Sequence, residues 1–356
     1  MHARTRLPAF ALFVAILALS AAPATAQRME RLFYYVDSED SYASLQQHID
    51  QISVVAPVAY KVDQDGVVWG EVDPRVIRLA GQHDVPVMPL IANLNFNQEW
   101  LHQLLTNDAA RQRVIRTLLE LCRRNGFWGI QFDFEDLSIN DRDAYSRFVK
   151  ETAEALHAEK FKLSIAVVHR PDQLPGPTAY QAWLFEDWRA GYDVDALGKS
   201  ADFISVMTYS QHTRRTPPGP NAGLPWVRDV VQYFLDHMPA DKLSLGVPTV
   251  SQHWYTSYEP DRIQPEKARS YSEVISYKRA QALIDRNNAE VVWSEQQEVP
   301  YTFYSRGGTF EWIFLEDARS FAAKLGLVDD FHLRGISVWH LGVEDPGIWK
   351  DLEERR

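Results

Sequence analysis

Gly129-Ile130-Gln131-Phe132-Asp133-Phe134-Glu135 alternates apolar and polar side chains and closes on two carboxylates. Side chains of a β-strand point alternately to opposite faces, so Ile130, Phe132 and Phe134 share one face and Gln131, Asp133 and Glu135 the other. At about 3.3 Å of rise per residue the two acids stand roughly 6.5 Å apart along the strand, near enough for each charge to oppose ionisation of the other. A proton kept on Glu135 at neutral pH makes it a general acid.

Outward from this strand, runs rich in Val, Ile and aromatics recur at 31–36, 52–60, 85–92, 162–168, 203–209, 242–250 and 333–341. Helical spacing lies between most of them, at 44–49, 74–80, 108–124, 141–157, 227–238 and 316–325, with Pro74, Asp108 and Asp141 at helix starts. Eight strands alternating with helices predict an α/β fold, a (β/α)8 TIM barrel. Two stretches break the rhythm. Residues 170–200 read as a long loop with a short helix over the barrel mouth. Residues 252–314, with helical spacing at 272–286 and β-rich pieces around Trp293 and Tyr301, read as a small α+β insertion between strands seven and eight, forming one wall of a cleft.

The first 26 residues have the form of a signal peptide: His2, Arg4 and Arg6, an apolar run over 7–22, and the small-residue site Ala24-Thr25-Ala26. The expectation is a secreted or periplasmic protein, 27–356, with no membrane insertion after signal removal. The single cysteine, Cys122, excludes a disulfide framework and falls on the apolar face of a helix, so the core itself must supply the stability. Across 356 residues the formal charge is -11, which argues against nucleic acid, anionic lipid or another polyanion as partner.

In a parallel barrel, reactive groups project from the C-terminal strand ends. Strand four delivers Gln131, Asp133 and Glu135, strand six Met207 and Tyr209, and strand eight Trp339. An acid pair, a phenol and an indole therefore meet at one mouth. Asn93, Tyr35 and Tyr60 end strands three, one and two and are further candidates for contact with a ligand. Trp183, Trp188, Trp254 and Tyr255 in mouth-side segments could stack on sugars or simply pack. A divalent metal on the acid pair would need further acidic ligands, yet strands five and six end in Val167, Val168, Thr208 and Ser210. His169, His212 and His340 follow strands without His-x-His spacing. No metal and no cofactor is assigned.

The run Trp128 to Glu135 resembles the strand-four signature of glycoside hydrolase family 18, the chitinase and endo-N-acetylglucosaminidase family. Val206-Met207-Thr208-Tyr209 is similar to its Met-x-Tyr on strand six, and Gly335-Ile336-Ser337-Val338-Trp339 to its strand-eight tryptophan. The nearest likeness is to bacterial cell-wall and spore-cortex N-acetylglucosaminidases. The resemblance implies a hydrolase that cleaves β-linked N-acetylglucosamine in chitin-like, peptidoglycan or exopolysaccharide chains, with retention, the sugar's own acetamido group serving as nucleophile. It implies Glu135 as acid and base, Asp133 as the group that orients the acetamido nitrogen, Tyr209 as hydrogen-bond donor to the acetamido oxygen, and Trp339 as the floor of the sugar site. Trp128 and Gln131 stand where the strict signature has acids, and Ser210 where many members have aspartate. A non-catalytic, lectin-like barrel is the alternative, although barrels that only bind sugar tend to have lost the acid at the Glu135 position.

Overall fold

The structure, a computed structural model, describes residues 29–172, 174–213, 216–257, 269–307 and 309–355. The expected leader over 1–26 lies outside the described residues. Eight parallel strands close a barrel: β1 (Glu30–Tyr35), β2 (Val54–Val62), β3 (Leu90–Asn93), β4 (Gly129–Asp133), β5 (Lys162–Val168), β6 (Phe203–Met207), β7 (Leu243–Pro248) and β8 (Gly335–Trp339). Each pairs with the next, and β1 pairs with both β2 and β8, so no barrel edge remains open.

The alternation in each strand sorts its side chains. Outward residues such as Ile130, Phe132 and Phe134 enter the layer between barrel and helices, where Phe132 and Phe134 stack at 4.9 Å and both rings meet Phe148 of the helix Arg142–Ala158. Inward, Leu32, Tyr34, Val54, Ala56, Leu90, Ala92 and Phe203 form a separate apolar plug. Burying a large aromatic in this way is worth ~2 kcal/mol or more, so a one-residue slip of β4 would lose several such terms and turn both acids into the helix layer. Register therefore fixes the direction of the carboxylates.

The helices follow their sequence signals. The helix Asp108–Asn125 begins at Asn107, whose side chain accepts from the backbone N–H of Ala109 and Ala110, and ends on Gly126 in the left-handed region. The segment 85–92 forms a shorter strand than its pattern predicts: Pro86 and Pro89 bring no N–H to the ladder, so Val87 makes only an isolated bridge to Val55 and the continuous β3 pairing begins at Leu90. Strand β6 stops at Met207, two residues early, and the chain turns through Ser210 at φ 60°.

Between β7 and β8 lies the insertion, a five-stranded antiparallel sheet in the order Arg269–Ile275, Ser251–Ser257, Thr309–Phe314, Val299–Arg306, Val292–Ser294, with the helix Tyr277–Asn287 packed on it. The helical spacing expected over 272–286 is a strand up to Ile275 and a helix only from Tyr277: Ser276 caps that helix by accepting from the N–H of Arg279, and the preceding residues pair with Ser251–Ser257. The 170–200 stretch holds two helices, Ala179–Leu184 and Val194–Ser200, joined by the single π-helical turn Phe185–Arg189.

Candidate active site

Where β4 ends at Asp133 its backbone leaves the ladder, and the next three residues need other hydrogen-bond partners. Side chains supply them. The Tyr192 hydroxyl donates to the Phe134 carbonyl at 2.5 Å. Asn93 grips the backbone of Glu135 from both sides, its Nδ2 donating to the carbonyl at 3.0 Å and its Oδ1 accepting from the N–H at 3.0 Å. Gln98 Nε2 donates to the carbonyl of Asp136, a residue in the left-handed region at φ 54°. The acid-bearing segment is thus fixed by side chains from three other parts of the chain.

Asp133, Glu135, Met207, Tyr209 and Trp339 line one pocket of about 300 Å³ at the C-terminal end of the barrel, together with Tyr34, Leu90 and Ala166. The Trp339 indole stacks on Tyr209 with ring centroids 6.4 Å apart and tilts against Tyr34 at 5.4 Å. Thr249 holds the carbonyl of Trp339 through its backbone N–H and its hydroxyl. Gln131 lies directly beneath, fully buried, its Nε2 donating to Ser164 Oγ at 2.9 Å and Ser205 Oγ at 3.1 Å, and Ser205 and Ser244 both hydrogen-bond Ser337. Gln131 thus does not line the pocket, and the layer of the barrel interior that it forms with these serines is neutral and polar.

Burial raises the pKa of both acids. For Asp133 desolvation is the whole cause, whereas for Glu135 the charges of Asp133 and Asp136 add to it. Glu135 is therefore the carboxyl that retains a proton into the neutral range. Tyr209 is pushed well above the ordinary phenol range by burial first and by Tyr34, Asp133 and Glu135 after it, and remains a hydrogen-bond donor.

Some residues expected at the mouth stand elsewhere. Tyr35 points into the barrel–helix layer, where its hydroxyl donates to Asp73 Oδ2 at 3.3 Å, and its neighbour Tyr34 occupies the inward position instead. Tyr60 is also in the outer layer. Tyr35 misses the pocket because strand faces are set by parity and not by nearness to the strand end, whereas Tyr60, of the same parity as the inward Val54, Ala56 and Val58, lies beyond the register irregularity between Val58 and Tyr60 and faces outward. Asn93 acts on the backbone of Glu135 rather than lining the pocket. Trp254 is fully buried and donates its indole N–H to the Gly219 carbonyl, and Tyr255 stacks on Tyr271. The clamps from Tyr192 and Gln98, and the inward Tyr34, had no motif to announce them; the doubled tyrosine at 34 and 35 was the one usable signal.

Comparison with known proteins agrees with this geometry. Glycosyl hydrolases family 18 matches residues 31–344. The cortical fragment-lytic enzyme of Bacillus subtilis is 28% identical over 322 residues, covering 89% of this chain and 71% of that protein. The crystal structure of a chitinase from Chromobacterium violaceum superposes with a TM-score of 0.81 at 26% identity, covering 92% of this chain and 98% of the other. The spore cortex-lytic enzyme of Bacillus megaterium shares the fold with a TM-score of 0.80 at 24% identity, over 93% of this chain and 75% of that one. With a closed barrel, an acid pair at the end of β4, and a family match spanning nearly all described residues, the chain belongs to glycosyl hydrolases family 18 and is a chitinase-like glycoside hydrolase.

Proposed function

We propose that this chain is an exported enzyme that cleaves β-linked N-acetylglucosamine in chitin-like, peptidoglycan or exopolysaccharide glycans, by retaining, substrate-assisted catalysis. The observation that carries this reading is the convergence of Asp133, Glu135 and Tyr209 beside the Trp339 ring in one pocket. Glu135, protonated for the reasons above, gives its proton to the glycosidic oxygen as the bond from that oxygen to the anomeric carbon breaks. The acetamido oxygen of the same sugar attacks that carbon and closes an oxazolinium ring. Asp133 accepts from the acetamido N–H and offsets the positive charge that develops there, while the Tyr209 hydroxyl donates to the acetamido oxygen and aims it. Glu135, now a carboxylate, takes a proton from the water that opens the ring, which restores the acid.

Product analysis on N-acetylated glycans, comparing wild type with Glu135→Gln, tests this assignment. The variant should lose at least about a thousandfold in kcat while still binding oligosaccharide, since one residue serves both half-reactions. Unchanged cleavage by the variant would refute the role of Glu135; binding without cleavage by wild type would favour the lectin-like alternative. Export rests on the leader pattern of residues 1–26, and protein isolated from outside the cytoplasm should begin at Gln27. A full-length chain retained in the cytoplasm would sink that part of the reading.

A further inference from the structure

A second cavity, of about 710 Å³, opens beside the catalytic pocket, between the segments that follow β5 and β6. Trp183 and Trp188 contribute aromatic surface, Ser210 and Gln211 polar surface, and Arg189 and His169 lie in the lining as well. Tyr180 stacks on Trp183 at 5.9 Å. Ser210 follows Tyr209 directly, so the cavity begins one residue from the tyrosine assigned to the acetamido group.

Arg189 is the unusual member. Its Nη2 donates to His169 Nε2 at 2.8 Å, and its Nε is buried with no protein partner among the described residues. His169 is held neutral, its pKa pushed down to about 3 by burial and by the Arg189 charge, against a smaller opposing effect from the backbone of Met207 and Tyr209. A neutral imidazole gives Arg189 an acceptor and no counter-charge. The ionisable groups that act on Arg189 are the phenol of Tyr180 and a second cation, Arg170, and burial disfavours its charge. Among the described residues no carboxylate pairs with it. A guanidinium with five N–H groups, one acceptor and no anion is incomplete by itself.

We propose that this cavity is a subsite for a carboxylate carried by the glycan next to the sugar being cleaved, which makes an acidic N-acetylated glycan a better substrate than neutral chitin. The proposal rests on the function given above and narrows its substrate class. One guanidinium balances one negative charge in a forked geometry suited to a carboxylate, and the aromatic rings suit a short apolar linker. The overall charge of -11 disfavours a densely charged partner at long range, whereas Arg189 acts on one neighbouring carboxylate within a Debye length of about 8 Å, where the local cation outweighs the screened charge of the rest of the surface.

The test compares four substrates: glycan strands whose alternate sugars carry a free lactyl carboxylate, the same strands with that group converted to a neutral amide, strands bearing a carboxylated peptide stem, and a neutral N-acetylglucosamine oligomer. Wild type should prefer a carboxylated form over the amide by about tenfold to a hundredfold in kcat/KM, the range of a charge-assisted hydrogen bond. In Arg189→Met that ratio should fall to near one, and Arg189→Lys should restore part of it, which a merely structural role for the residue would not do. Preference on the bare strand assigns the carboxylate to the sugar; preference only on the stem-bearing strand assigns it to the peptide. A wild-type ratio near one, or a ratio that survives in Arg189→Met, overturns the subsite while leaving the hydrolase reading intact. If Arg189→Met does not fold, the wild-type ratio and the lysine variant decide the matter. Failure of wild type to cleave any of the four overturns both.

Discussion

Replacing Asn93 with alanine tests whether the catalytic acid is held by its backbone. Asn93 is 3% exposed and makes two 3.0 Å hydrogen bonds to Glu135, one to each backbone group. At a net ~0.5–1.5 kcal/mol each, their loss removes about 1–3 kcal/mol of restraint, and the vacated space cannot re-satisfy both groups. Part should appear as stability, lowering Tm by roughly 2–5 °C for a chain of this size. The rest should appear in the chemical step: a shift of about 1 Å in the acid can cost on the order of a hundredfold in rate, so kcat should fall ten- to a hundredfold with KM within about threefold of wild type. Steady-state kinetics on a soluble N-acetylglucosamine oligosaccharide, with thermal unfolding followed by circular dichroism, reads both quantities. If KM rises tenfold at unchanged kcat, Asn93 touches sugar and the clamp argument is wrong; if neither kcat nor Tm moves, the two hydrogen bonds do not restrain Glu135.

Asp133→Asn removes a charge that raises the Glu135 pKa, so the alkaline limb of residual kcat/KM should move to lower pH; an unmoved limb would show that burial alone sets it. The same pair links stability to pH. Both folded-state pKa values are raised above the unfolded carboxylates, which titrate near pH 4, so the native state holds protons that the unfolded chain releases, and stability should decline as pH rises from about 4 through the neutral range. Tm of wild type should be higher at pH 5 than at pH 8, with a smaller difference in Asp133→Asn. Elsewhere, Lys324 and Glu316 form a buried ion pair at 2.8 Å, with side chains 1% and 3% exposed. Lys324→Met should cost about 3–5 kcal/mol by stranding Glu316, and the double change Lys324→Met with Glu316→Leu should recover most of it in denaturant unfolding. A single variant as stable as wild type would contradict that account.

The barrel was legible because its rule is local: alternation within each strand and helical spacing between strands depend on neighbours in sequence, and those same neighbours meet in space. Asp133 and Glu135 were legible for that reason, and Met207, Tyr209 and Trp339 because their strands run parallel and end at the same level. Tyr34 and Tyr35 mark where this logic reaches its limit. Both are aromatic and adjacent, and only the register of β1 against β2 and β8 decides which enters the pocket. The clamps on residues 134–136 were not legible. Asn93, Gln98 and Tyr192 answer a backbone need that exists only once β4 has ended, and they come from 42, 38 and 58 residues away in sequence. Arg189 was hidden similarly, since having no carboxylate partner among the described residues is a property of space.

Gln131 replaces one of the two acids of the strict signature that this chain lacks, the one nearer Asp133. Both of its Nε2 hydrogens are engaged, with Ser164 and Ser205, and the chain of hydroxyls continues to Ser337 and Ser244. A carboxylate at 131 would lose both donors and set a third charge about 6.5 Å below Asp133 along the strand, where burial already opposes ionisation of Asp133 itself. With an amide there, Glu135 is the acidic neighbour of Asp133 along the strand, and the proton of the pair falls to Glu135, whose pKa is raised by burial and by two carboxylates. Asp133 has no second acid beneath it with which to share a proton, so in the proposed mechanism its ionisation depends on Glu135 and on the bound acetamido N–H. The departure at 131 thus removes a relay partner while remaining compatible with the proposed division of labour, in which Glu135 carries the proton to the leaving group and Asp133 ionises against the acetamido N–H.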